Sequence, residues 1–133
     1  MTNYFIDHDA YTAGLTGILI FTNGTTTVNG SNTSFTTELS AGDYIRSANS
    51  TLGLEWYKVT EVVSDTELTI DHAFYQESHN CTAWKNSANG TTVDDAFCHI
   101  QQFFDVAQAG DVGYLRRGKT YYVSKTLLSL IHI

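Results

Sequence analysis

Apolar residues in the first half of the chain come in short runs broken by Gly, Asn and Asp, and only near residue 100 do they fall into a helical period. Ile18–Phe21 and 25–28 flank Asn23-Gly24. Asn-Gly between two strand-like runs predicts a hairpin with a type I′ turn, whose two central residues both need positive φ. Asn29-Gly30 is expected to end that hairpin, and the loop 31–41 follows, with Phe35 and Leu39 as its anchors into a core. Gly42-Asp43 then turns the chain into Tyr44–Ser47, and two further runs, 55–63 and Glu67–Ile70, come after a polar loop. Residues alternate across a strand, so Tyr57, Val59, Glu61 and Val63 share one face and Trp56, Lys58, Thr60 and Val62 the other. The first face is the more apolar and is predicted to point inward.

Five short strands at this spacing predict a small five-stranded β-barrel over 16–74, because closure removes the exposed edges of an open sheet. The N-terminal arm, 1–15, carries Tyr4, Phe5, Ile6 and Tyr11, and 75–90 reads as a connector. Phe97, Ile100, Phe104 and Ala107 recur at i, i+3, i+7 and i+10, with Phe103 widening the stripe, which predicts one amphipathic helix. Thr92 and Asp95 have capping-box spacing, Asp94 and Asp95 suit a helix N-terminus, and Gly110 suits a left-handed C′ residue. Val112–Leu115, a turn at 116–118 and the run 121–123 then read as strands. The expected class is mainly β with one helix.

Composition narrows the partners. Fourteen acidic against seven basic side chains give a net charge of −7 over 133 residues, which disfavours nucleic acid as the main partner. The longest apolar run, Ile18–Phe21, is far too short to span a bilayer, and the N-terminus has neither the basic nor the apolar region of a signal peptide. Abundant Asn, Thr and Ser with no Pro suit short strands and tight turns.

The candidate chemistry is thin. Asp7-His8-Asp9 holds metal-capable side chains, but on a strand His8 faces away from both carboxylates. His72, His79, Cys81, Cys98 and His99 lack the paired short-gap spacing of a structural zinc site, and the two cysteines decide neither for nor against one disulfide. Arg116, Arg117 and Lys119 read as a solvated turn, and Asn-x-Ser/Thr at Asn23, Asn29, Asn32, Asn49, Asn80 and Asn89 as turn chemistry. The pair Asp94-Asp95 reads as capping rather than acid–base chemistry. No catalytic, cofactor-binding or metal residue is nominated, and no cofactor is expected.

Two resemblances add to this reading. The run FTNGTTTVNGSNTSFTTELSAGDYIRS with WYKVTEVVSDTELTID resembles a small β-barrel module of phage tail-fibre and other virion proteins. It matches at Phe35, Leu39, Gly42, Asp43 and Ile45, then at Tyr57, Val59, Val62, Ser64, Asp65, Thr66 and Leu68, and departs at Asn32. The second is sharper. Asn89-Gly90, Ala96-Phe97, Ile100-Gln101, Ala107, Ala109-Gly110-Asp111, Tyr114, Gly118, Thr120-Tyr121 and Val123 resemble the cap helix and first rung (91–127) of a pectate-lyase-like right-handed parallel β-helix, with Gly113 where a β-branched residue is usual.

Together they imply the N-terminal part of a phage tail-fibre or tailspike-like protein, located in the virion, whose further body binds or cleaves host-surface polysaccharide. Full length, such a protein is expected to be a homotrimer held among other virion proteins, without nucleic acid and without membrane insertion. The 133 residues themselves are expected to be non-enzymatic. The alternative is the N-terminal part of a secreted or cell-surface bacterial polysaccharide lyase, hydrolase or adhesin. The last six residues, LSLIHI (128–133), are what a sequencing-library mosaic-end adapter encodes in frame, so a truncated frame with a non-native tail is expected.

Overall fold

A computed structural model describes residues 2–88, 90–92 and 95–119. In chain order the elements are β1 (Asn3–Ile6), β2 (Ala13–Gly14), β3 (Ile18–Phe21), β4 (Thr27–Ser31), α1 (Phe35–Glu38), β5 (Tyr44–Ser47) and β6 (Tyr57–Ser64). They continue with β7 (Glu67–Ile70), β8 (His79–Cys81), β9 (Ala83–Asn86), α2 (Ile100–Val106) and β10 (Val112–Leu115). The protein is mainly β, and the chain divides into two compact units. Unit 2 is Ala13–Lys85, and unit 1 is made from both sides of it, Met1–Thr12 and Asn86–Ile133. Asp94, the run 121–123 and the tail 128–133 lie outside the described residues.

Unit 2 contains all five predicted strands, as β3 to β7, but its sheet has eight, in the order β2-β9-β5-β6-β7-β4-β3-β8. It is not a closed barrel. The stretch read as a connector from 75 onward supplies β8 and β9, whose half-polar sequence (HNC, AWKN) hides their strand character. Leu19, Phe21, Val28, Phe35, Ile45, Tyr57, Val59, Leu68 and Phe74 form the core, so Phe35 is anchored as expected, on α1, with Leu39 just behind it. Asp65, in the β6–β7 turn, accepts from the Thr36 amide at 3.0 Å and from its hydroxyl, which holds the carboxyl below the usual range and ties the turn to α1.

Three local expectations change. Only Gly24 of Asn23-Gly24 has positive φ, so the turn is not type I′, which needs two such residues. Its loop is instead held from outside, by Phe74 on Gly24 and Thr25. Asn29-Gly30 lies inside β4, and the chain turns at Asn32, whose φ of 57° is left-handed. The β6–β7 register shifts between Val59 and Glu61, a bulge that reverses the faces: Tyr57 and Val59 are buried, Val62 packs on the core, and Val63 is 50% exposed.

In unit 1 the expected arm is a strand. β1 pairs in parallel with β10, Asn3 opposite Val112 through Ile6 opposite Leu115, and its other edge meets Phe97 through an Ile6–Phe97 parallel bridge. The described residues show this two-stranded sheet and not a parallel β-helix. Ile6, Phe97, Phe103 and Ala107 form its apolar cluster, with Tyr4 stacked on Phe97 at 5.7 Å. Gly113 is a close-packing residue: a Cβ there would stand 3.1 Å from Ile6 Cδ1 and 3.2 Å from the Phe103 ring.

The helix is shorter than its apolar period. α2 starts after His99, whose Nδ1 accepts from the Gln101 amide at 3.1 Å, and Gln102 Oε1 accepts from the His99 amide at 3.0 Å, so this pair forms the capping box. Thr92 Oγ1 does accept from the Asp95 amide at 3.1 Å, but in a turn, and Phe97 lies outside the helix. Gly110, with φ +91°, belongs to the turn before β10, since the C-cap is Ala107.

Candidate functional site

The two charged motifs of the sequence meet in unit 1. Asp7 and Asp9 follow β1, Arg116 and Lys119 follow β10, and the parallel register sets these ends side by side. Arg116 Nη1 lies 3.2 Å from Asp7 Oδ2, and Lys119 Nζ lies 2.8 Å from Asp9 Oδ2 and 3.9 Å from Asp7 Oδ1. The hydrogen bond that Lys119 donates to Asp9 raises the Lys119 pKa. The carboxylates that could have offered a cation site are thus neutralised by the cations that could have offered an anion site. His8 is buried beside them. A cleft of about 290 Å³ adjoins this pair, walled by Phe5 and Tyr114, whose rings stack at 5.6 Å, with Ile6, Leu115 and Ala96.

Two histidine clusters in unit 2 join residues far apart in sequence. His72 Nδ1 lies 2.7 Å from Asp71 Oδ1 and Nε2 3.2 Å from Glu55 Oε2, while its ring stacks on Tyr57 at 4.7 Å. The Glu55 side chain is 0% exposed. Burial opposes the His72 charge, but the hydrogen bonds and charges of Asp71 and Glu55 outweigh it and raise its pKa to about 9. Burial also pushes the Tyr57 phenol upward.

The second cluster resembles a nucleophile–base pair. Ser47 Oγ is 2.6 Å from His79 Nε2, and His79 Nδ1 is 2.9 Å from the Glu77 carbonyl, which fits a proton on Nδ1. Yet Ser47 is 3% exposed, and its oxygen also accepts from the Asn49 amide at 3.2 Å. A nucleophile needs an approach for the reacting carbon. Here the pair fixes the end of β5 to the start of β8.

No protein-family model, curated protein or solved structure matches the chain significantly.

The remaining candidates resolve locally. Among the described residues no group of three or more His, Cys, Asp or Glu could hold a metal ion, and neither Cys81 nor Cys98 is in a disulfide. Cys98 is buried with its Sγ 3.2 Å from Gln102 Oε1. Asn23 Nδ2 donates to the Tyr75 and Gln76 carbonyls at 3.0 and 2.9 Å, and Asn49 Oδ1 accepts from the Thr51 and Leu52 amides, so these asparagines serve turns. No helix among the described residues is long and apolar enough to cross a membrane.

Sequence reasoning missed a well-connected buried polar residue. Asn86 is 1% exposed and satisfies four groups of unit 1. Its Nδ2 donates to the Ala10 and Ala96 carbonyls at 3.1 and 3.0 Å, and its Oδ1 accepts from the Ala88 amide at 3.0 Å and Gln102 Nε2 at 3.3 Å. The sites so far described neutralise, cap and stitch.

Proposed function

We propose that the chain is a structural and host-interaction component of a phage particle, of the tail-fibre or tailspike kind, standing N-terminal to a β-helical body. The observation that supports this reading is the parallel pairing of β1 with β10, together with the Ile6–Phe97 bridge. Parallel strands require a crossover, and stacked parallel passes of one chain are the unit of a solenoid. In this reading unit 1 is the first coil, covered by α2 as a terminal cap. Unit 2 is a side module for contacts with other virion proteins. Its sheet is read as barrel-like, because β8 and β9 are separated by Thr82 alone and one stretch of chain therefore serves both β3 and β5. The full-length protein is proposed to be a homotrimer whose body binds or cleaves host polysaccharide, with any hydrolysis carried by paired carboxylates in that body. The present residues are proposed to be non-enzymatic.

Mass spectrometry of particles banded from the source sample tests this. Peptides of the chain should co-purify with virion proteins. Peptides found in bacterial secretions or cell walls and absent from particles would reject the particle reading and favour a bacterial β-helix enzyme or adhesin.

A further inference from the structure

We propose that residues 71–78 form a strap over one end of the unit 2 core, and that the imidazolium of His72, clamped between Asp71 and Glu55, is the latch that holds it shut. The strap links β7 to β8. Phe74 is its plug, 2% exposed and packed on Phe21 at 5.1 Å and Tyr57 at 5.3 Å. The Phe74 amide donates to the Thr25 carbonyl at 3.0 Å, and the Phe74 carbonyl accepts from the Gly24 amide at 2.7 Å. Beyond the plug, Asn23 holds the far end through Ser78 Oγ at 2.8 Å and the Tyr75 and Gln76 carbonyls.

At the near end both ring nitrogens of His72 face carboxylate oxygens, at 2.7 and 3.2 Å. Only the doubly protonated ring donates to both. On losing one proton it must set a lone pair against a carboxylate, and Glu55, with no exposed side-chain surface, cannot turn to water instead. The other titratable groups around the strap are Tyr57 and Lys58 in β6, the latter accepting from the Asp71 amide through its carbonyl, Tyr75 and Glu77 on the strap, and His79 at the start of β8, whose ring is 5.7 Å from Phe74. Tyr57 stays neutral because burial pushes its phenol up.

The sign follows from the direction of the shift. With a folded pKa of about 9 against an ordinary 6.5, His72 holds the strap fully below pH 6.5 and releases it as pH rises through about 9. The strap is therefore a local switch on the alkaline side.

The test is NMR on the full chain between pH 6 and 10, reading the His72 ring protons and the amides of Gly24 and Phe74, with the Ile70 amide, bonded to Thr26 within the sheet, as reference. At neutral pH His72→Gln should speed exchange at Gly24 and Phe74 by at least about tenfold relative to Ile70. His72→Lys, cationic across the window, should keep both protected at pH 9.5, where the unsubstituted protein has lost protection. The proposal is overturned if His72 titrates near 6.5. It is equally overturned if His72→Gln leaves Gly24 and Phe74 protected, or exposes Ile70 to the same degree.

Discussion

Asn86→Ala should unfold unit 1 selectively. Four groups lose a partner, but not equally. The contacts to the Ala96 carbonyl and from Gln102 Nε2 are buried, whereas those to the Ala10 carbonyl and from the Ala88 amide are partly exposed and water can replace them. At about 1–2 kcal/mol for each stranded buried group, the loss is about 2–4 kcal/mol. Unit 1 has little to set against this, because its apolar cluster rests on Ile6, Phe97, Phe103 and Ala107. Hydrogen exchange by mass spectrometry reads the effect: peptides across 98–107 should exchange roughly 30- to 1,000-fold faster. Both tryptophans, Trp56 and Trp84, belong to unit 2, so the fluorescence-detected denaturation midpoint should stay in place. Asn86→Asp separates hydrogen bonding from volume. It keeps the size but removes both donations and brings charge against two carbonyls, so it should cost at least as much as Ala. A near-neutral Asp variant, or a fluorescence midpoint that falls with the exchange protection, would refute the reasoning.

Three further outcomes are expected. The excised segment 13–85 should melt cooperatively by circular dichroism, whereas 16–74, which lacks β2, β8 and β9, should not, since β3 and β5 each lose a neighbouring strand; equal melts would return the boundary to residue 74. Gly90→Ala should destabilise unit 1 by about 2–4 kcal/mol, because φ is +74° and a Cβ would meet the Phe97 ring at 2.5 Å; unchanged exchange across 98–107 would show that the ring yields freely. Phe35→Ala, at a site of 0% exposure, should lower the fluorescence midpoint by an amount equivalent to about 3–5 kcal/mol, and above that lowered midpoint, where unit 2 is unfolded, unit 1 should lose about 1 kcal/mol, read by exchange across 98–107.

What the sequence disclosed is what depends on local pattern. The five strands β3 to β7 are legible because their alternation and glycine breaks are local, and Phe35 and Leu39 because isolated apolar residues in a polar loop have few other uses. The bulge in β6 is invisible, since Val62 and Val63 are chemically alike and only the pairing with β7 decides which turns inward. The N-cap moved from Thr92 to His99 because a tertiary partner, Asn86, orients Gln102 for the cap. Buried polar residues such as Asn86, Glu55 and Ser47 carry no local signal at all. Their burial is tolerated because partners distant in sequence satisfy them, as Ala96 and Ala10, 10 and 76 positions away, do for Asn86. The strand pattern over 16–74 anticipated β3 to β7 but not β2, β8 and β9 of the same sheet.

The discontinuity of unit 1 explains why the last two effects should be asymmetric. β1 and β10 lie on opposite sides of unit 2 in the sequence, so their pairing closes a very long loop. Within unit 2, Ala13 stands opposite Lys85, so once that unit has folded, the chain's exit and return points are neighbours. Thr12 and Ser87 then need only a 2.9 Å hydrogen bond to begin unit 1. Folding unit 2 first shortens the effective loop roughly threefold, a saving of about 1 kcal/mol in closure entropy. Unit 1 offers no such service in return, because every strand pairing of unit 2 lies inside Ala13–Lys85 or at its border residue Asn86. Unfolding unit 2 therefore lengthens the loop that unit 1 must close, while unfolding unit 1 leaves unit 2 as it was. This is the arrangement expected of a self-sufficient module inserted between the two partners of a parallel strand pair.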